Sequence, residues 1–183
     1  MLATISYVLD IGIALSIPIV LYIGYKKGTF SPIVWNFFLM GCIIDSTWEF
    51  GLYANQFSTN PVLLMLTPFP IHPILHPILH SLWDGGLFLG GYFLVLLLGK
   101  PPSFMRFRWS ELGIVVLWGQ VQELIVELSS TLVDAWTYSD KISWNPVLFE
   151  VGYGQVTLAP QVVWSFASII FYFICIDKTK RSL

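Results

Sequence analysis

Gln120, Glu123, Glu127, Ser130 and Asp134 recur at steps of three and four through an otherwise apolar stretch. On a helix that spacing draws one narrow polar stripe. Carboxylates at membrane depth are costly, so they usually face a bundle interior and mark function. Two other stretches carry the same signature. Asp45 and Glu49 stand one helical turn apart with Trp48 beside them, and His72, His76, His80 and Asp84 are spaced by four. Two carboxyls held close in a site of low dielectric resist ionising together, which yields one acid to donate a proton and one base to accept it. Trp48, Trp83 and Trp164 add π faces able to stabilise a developing cation. Acid, base and indoles fit protonation of an alkene in a hydrophobic substrate. Loss of a proton elsewhere would then isomerise it, and internal attack would cyclise it.

The elements that must position these groups are membrane spans. Of the 183 residues, 56% are hydrophobic and only 11% charged, against about 25% charged in soluble domains. A soluble globular fold is excluded on that ground, and the absence of a basic cluster leaves no expectation of nucleic acid. A span needs about 20 mostly apolar residues, and five such runs can be drawn at roughly 5–25, 32–54, 76–99, 111–134 and 158–177. Basic residues follow the first run (Lys26, Lys27), the third (Lys100, Arg106, Arg108) and the fifth (Lys178, Lys180, Arg181). The positive-inside rule then puts the amino end outside or in a lumen and the carboxyl end in the cytoplasm. The expectation is an all-α integral membrane protein, one transmembrane domain over 1–183, built as a five-helix bundle. The amino end lacks a basic n-region, so its apolar run reads as a span and not as a cleavable signal. Cys42 and Cys175 fall inside spans and read as buried thiols.

Orientation turns the residues into a place. The second and fourth helices run outward and the third and fifth inward, so Asp45, Glu49, His80, Asp84, Glu123, Glu127, Gln161 and Trp164 reach a common level in the outer half. One polar cavity open to the outer leaflet accounts for a shared level, which scattered packing bonds would not need. Asp45, Glu49, His76, His80, Asp84, Glu123 and Glu127 are the catalytic candidates, and Trp48, Trp83, Gln120, Gln161 and Trp164 the substrate-binding ones. Gln120 lies deeper and Asp134 at the outer mouth. Asp10 reads as a helix-end group at the headgroups. Residues 55–75 are apolar and rich in proline, which suits either a lid over the cavity or an irregular connector. Trp136, Tyr138, Trp144 and Tyr153 read as an interfacial aromatic belt. Gly86 and Gly90, beside Gly85 and Gly91, form a small-residue face for close helix packing.

Several short patterns together resemble the emopamil-binding-protein family, the five-helix sterol isomerases of the EXPERA group. That family's third helix has an acid seven residues before a Leu-Trp pair, where this chain has His76 before Leu82-Trp83. Its fourth helix opens on Gly-Gln, as at Gly119-Gln120, and its fifth bears Asn-x-x-Trp, similar to Gln161-Val-Val-Trp164. A His and a Glu four apart in its second helix are similar to Asp45 and Glu49. Relative to the family, acid and imidazole have exchanged places between the second and third helices, which preserves the proton inventory. Trp48-Glu49-Phe50 and Leu82-Trp83-Asp84 also resemble the fungal membrane-bound meroterpenoid cyclases, which have seven helices. Both resemblances imply proton-initiated carbocation chemistry on a sterol or terpenoid within the bilayer, with no cofactor and no metal. They imply the endoplasmic reticulum if the chain is eukaryotic, and they leave a homodimer open. Two alternatives stand beside this reading. One is a sterol- or lipid-binding protein without activity. The other is a metalloenzyme using histidines and carboxylates, against which stand the lack of a Glu-x-x-His and the position of Pro77 between His76 and His80.

Overall fold

The computed structural model describes residues 1–181. Five long helices account for most of the chain: α1 (Leu2–Lys26), α2 (Pro32–Asn55), α3 (Leu75–Leu98), α4 (Trp109–Leu132) and α5 (Leu158–Arg181). Their ends lie close to the five apolar runs. By length and composition α1, α3, α4 and α5 suffice to cross a membrane, and the protein is a helical membrane protein on that ground. α2 matches α3 in length, but Asn36, Asp45, Ser46, Thr47 and Glu49 dilute its apolar character, and it is not among the four.

The helices alternate in direction, so both long loops and the start of α1 gather at one end, the cap end. The short basic turns gather at the other, the basic end. Four short strands at the cap end depart from the all-helical expectation. β1 (Leu63–Met65) pairs antiparallel with β2 (Trp136–Tyr138), which ties the 55–75 loop to the segment after α4. β3 (Val147–Val151) and β4 (Gly154–Thr157) form a hairpin closed by Gly152-Tyr153. Gly152 has φ +58, the left-handed backbone that the first central position of such a tight turn requires. The cap is anchored to α1 by Tyr7, whose hydroxyl donates to the Ala135 carbonyl at 2.9 Å and the Thr67 carbonyl at 3.1 Å.

The cap also accounts for two helix ends. α4 stops at Leu132 because Asp134 takes a left-handed backbone (φ 62), and the Ala135 N–H turns back to the Ser130 carbonyl at 2.9 Å. Asp134 is thus a helix stop outside α4, where the sequence spacing had made it the last residue of the stripe. At the start of α5 every early donor is satisfied. The Thr157 N–H goes to Glu127 Oε1 at 2.8 Å, Leu158 N–H to the Pro146 carbonyl at 3.1 Å, and Ala159 N–H to Asn145 Oδ1 at 2.7 Å. Pro160 has no N–H to satisfy.

Helices in a bilayer gain little from burying apolar surface against one another, so close packing decides their association. α3 is the centre of that packing. A Cβ at Gly85 would collide with Cys42 and Phe38 of α2, one at Gly86 with Ile17 of α1, and one at Gly90 with the Trp118 ring of α4. The glycine-rich face therefore serves three neighbours at once. Below it an aromatic core of Phe37, Phe88, Phe171 and Tyr172 fills the basic half of the bundle. Cys42 and Cys175 are free thiols.

Candidate active site

Counted from the helix ends, Asp10 lies eight residues into α1 and Asp84 nine into α3. Glu123 lies nine before the end of α4, and Asp45 ten before the end of α2. At 1.5 Å per residue these four carboxyls, from four helices, stand within about 3 Å of one level. Above that level, toward the cap, the bundle opens into a cavity of about 250 Å³.

Six of the sequence-predicted residues from α2, α3 and α4 come together here. Glu49, His76, His80, Asp84 and Glu123 line the cavity, and Asp45 is fully buried just behind it. His80 Nδ1 stands 3.7 Å from Glu49 Oε2. The His76 and His80 rings lie 4.1 Å apart, as residues four apart on one helical face should. Pro77 does not disturb them, because it is the third residue of α3, where a missing N–H breaks no intrahelical bond. Oxygens of Asp45, Glu49 and Asp84 fall within 4.8 Å of one another. Asp84 and Ser81 face Asp45. Among the described residues, neither Asp45 oxygen has a hydrogen bond of ordinary geometry, and neither does either ring nitrogen of His76. Two carboxyls that face each other without other donors are satisfied when they share a proton.

The aromatic candidates also converge. Trp48, Trp83 and Trp164 all line the cavity, with Trp48 and Trp164 packed edge to face at 5.9 Å. The Trp164 indole also meets the Glu123 carboxyl.

Three predicted residues are engaged elsewhere. Glu127 is fully buried but lies outside the cavity lining. Its Oε1 accepts from the Thr157 N–H at 2.8 Å and the Thr157 hydroxyl at 3.1 Å, while Oε2 accepts from Gln161 Nε2 at 3.5 Å. A carboxylate at the start of α5 complements the helix dipole, so Glu127 is a capping group. Gln120 Nε2 donates to the Gln161 carbonyl at 2.9 Å. Both glutamines therefore join α4 to α5 and do not face the cavity.

The cap and α1 supply residues that the sequence reading had placed elsewhere. Phe69 and Leu63 of the 55–75 loop close over the cavity, which fixes that loop as a cover, and Phe69 meets the His76 ring edge-on at 4.7 Å. Trp136 and Tyr138, expected in an interfacial belt, face inward and line the cavity. Trp144 and Tyr153 are exposed, as a belt residue should be. Burial, with the carboxyls of Glu123, Glu49 and Glu127 nearby, holds the Tyr138 phenol above its ordinary range, so it stays a neutral donor. Asp10 and Ser6 of α1 complete the wall. Asp10 was expected at the headgroups; α1 begins at Leu2, three residues before the apolar run, and that sets Asp10 within one residue of the depth of Asp84.

The fold and the cavity define a class: a helical membrane protein that encloses acids, imidazoles and indoles beneath a small β-structured cap. Scans against protein-family models, curated proteins and solved structures each found no match to this chain.

Proposed function

We propose that this protein is a membrane-embedded isomerase or cyclase that protonates an alkene of a sterol or terpenoid and guides the resulting carbocation. The observation that carries the reading is the cavity itself. An acid–imidazole pair, Glu49 and His80, stands against the facing Asp45 and Asp84 carboxyls, under walls of indole. In this reading the shared proton of that carboxyl group supplies the acid, through Glu49, to the substrate double bond. Trp48, Trp83 and Trp164 stabilise the cation by their π faces. Glu123, on the opposite wall from α4, removes a proton from another carbon. The electron pair of that C–H bond then forms the shifted alkene. In the cyclase variant an internal double bond attacks the cation before the same proton loss.

The cavity suits an amphipathic lipid substrate. Its volume of about 250 Å³ falls just under the common range of about 300–1,000 Å³ for ligand pockets. It therefore takes the reacting end of a lipid while the remainder stays in the bilayer. α1 and α4 offer the route. Ser6, Asp10 and Ile11 line the cavity from α1, and Ile125 and Ser129 line it from α4 while remaining exposed on the outer surface. α1 is also the least enclosed helix, with 17% of its apolar window buried against 44% for α5.

The reading treats α2 as the fifth span. Its two acids, Asp45 and Glu49, turn inward, and Leu39, Ile43 and Phe50 face outward among the exposed apolar residues. With five spans and the basic end in the cytoplasm, the amino end and the cap lie outside or in a lumen. The endoplasmic reticulum is the corresponding site in a eukaryote. The likeness of the Gly119-Gln120 and Gln161-x-x-Trp164 patterns to the EXPERA sterol isomerases supports the same chemistry.

The test is turnover in deuterated water, with membranes carrying the protein and a panel of sterols and polyprenyl compounds. Deuterium in a shifted alkene or a new ring is the expected result. Saturable binding of these compounds with no deuterium incorporated into any of them would replace the enzyme with a lipid-binding protein.

A further inference from the structure

The donor set of the cavity points to a ligand that proton transfer does not require. Asp10, Glu49, Asp84 and Glu123 line it, Asp45 lies behind it, and among the described residues no Lys or Arg does either. So much acid in a setting of low dielectric is offset by bound protons or by a cation. His76 is an independent observation. It is 3% exposed, it lines the cavity, and both ring nitrogens lack partners. Buried imidazoles ordinarily have at least one nitrogen bonded, so the His76 nitrogen nearest Glu49 and His80 is free to take a ligand. One nitrogen of His76, one of His80 and one oxygen of Glu49 all lie within 4.8 Å of one another.

We propose that Glu49, His76 and His80 form a binding site for one divalent transition-metal ion of the zinc class. Two imidazoles and a carboxylate are a borderline-soft set that suits zinc, cobalt or iron over magnesium or calcium. Bonds of about 2.0–2.2 Å place tetrahedral ligand atoms about 3.3 Å apart, so each side chain closes by roughly an ångström. His80 and Glu49, at 3.7 Å, are nearly there. The two objections raised by the sequence fall away. Pro77 sits where it leaves the His76–His80 face intact, and the carboxylate arrives from α2 and not from the same helix. Asp84, adjacent to Glu49, is placed to orient the ligands or to hold a water on the fourth position.

A bound ion would hold Glu49 as a carboxylate where the proposed reaction needs it to deliver a proton, so the metal-loaded and proton-transferring forms are alternative states of one cavity. The binding itself does not depend on that reaction, and its test reads metal and not turnover.

Full-length protein in detergent, stripped with chelator and then equilibrated with Zn²⁺, should retain one ion per chain by elemental analysis. Co²⁺ in its place should give the visible absorption of a four- or five-coordinate nitrogen–oxygen site. His76→Ala and His80→Gln should each weaken binding by about 100-fold or more and abolish that absorption. The glutamine variant preserves bulk, so a folding failure of the alanine variant leaves the test intact. His72→Ala, an exposed histidine outside the cavity, should bind as the parent does. No retained zinc, undiminished binding in His80→Gln, or a preference for Mg²⁺ or Ca²⁺ would each overturn the proposal.

Discussion

Buried carboxylates occur at both ends of the bundle, and the protein treats them in opposite ways. At the basic end Glu111 is fully buried, and each of its oxygens is engaged. Oε1 takes the Arg108 guanidinium at 3.1 Å, and Oε2 accepts from the Phe104 N–H at 3.2 Å and the Tyr172 hydroxyl at 3.3 Å. The Tyr172 hydroxyl also accepts from the Arg108 N–H at 2.8 Å, and Arg108 reaches the Lys100 carbonyl. That closed set fastens the α3–α4 turn onto α5. At the cavity end Asp45 is as deeply buried, yet it faces only two other acids, Asp84 and Glu49, and a serine. Burial therefore does not separate a structural acid from one proposed to work in the reaction. The accounting of partners does, because a buried polar group without partners is costly and in a membrane bundle usually marks function.

The sharpest break of this comparison is Glu49→Gln. The amide keeps the shape but cannot pass a proton, so deuterium incorporation should fall by about 10²–10⁴-fold while the thermal midpoint moves by only a few degrees. Glu123→Gln should follow it. Full activity in either variant would remove that residue from the proton path. The mirror experiment is Glu111→Ala, which strips a guanidinium, a backbone N–H and a phenol of their common partner. It should cost about 3 kcal/mol or more of stability, read by thermal unfolding in detergent, with turnover per folded molecule within about twofold of the parent. A large loss of turnover at unchanged stability would erase the distinction between the two ends.

The sequence carried much of this, and the residues show why it stopped where it did. Helix positions were legible because a span needs a fixed apolar length and lysines and arginines punctuate alternate turns. Asp45, Glu49, His80, Asp84 and Glu123 were legible because spacing fixes a face and helix direction fixes a depth. The cap was not, since β1 and β2 are three residues each and lie some seventy apart, so nothing local announces that Tyr138 pairs with Leu63. The β3–β4 hairpin does carry a local sign, Val151-Gly152-Tyr153-Gly154, set among the aromatic residues of the same loop. Asp10 was hidden because one polar residue on an apolar helix has no periodicity to read.

Glu127 is the intermediate case. It shares a helical face with Glu123, and only the arrival of Thr157 and Gln161 tells the two apart. Glu127→Gln keeps an oxygen for the Thr157 N–H but removes the charge from the start of α5. A stability loss of about 1–2 kcal/mol by thermal unfolding is expected. Turnover should fall far less than in Glu123→Gln. Equal losses in the two variants would return Glu127 to the catalytic set.

Asp10 supplies the smallest and most discriminating test. Its depth matches that of Asp84, but it belongs to α1, the wall with the least enclosure, and it stands apart from the Glu49–His80 pair. In the proposed reaction a group in that place contacts the substrate where it passes between α1 and α4 without taking part in proton transfer. Asp10→Asn should therefore raise KM by about fivefold, the equivalent of one neutral hydrogen bond, and leave kcat unchanged. A fall in kcat as large as that of Glu49→Gln would move Asp10 into the acid cluster and add a fourth helix to the proton-transfer groups. Unchanged KM and kcat would return it to the headgroup role that its position in the sequence first suggested, and would leave α1 as a passive wall.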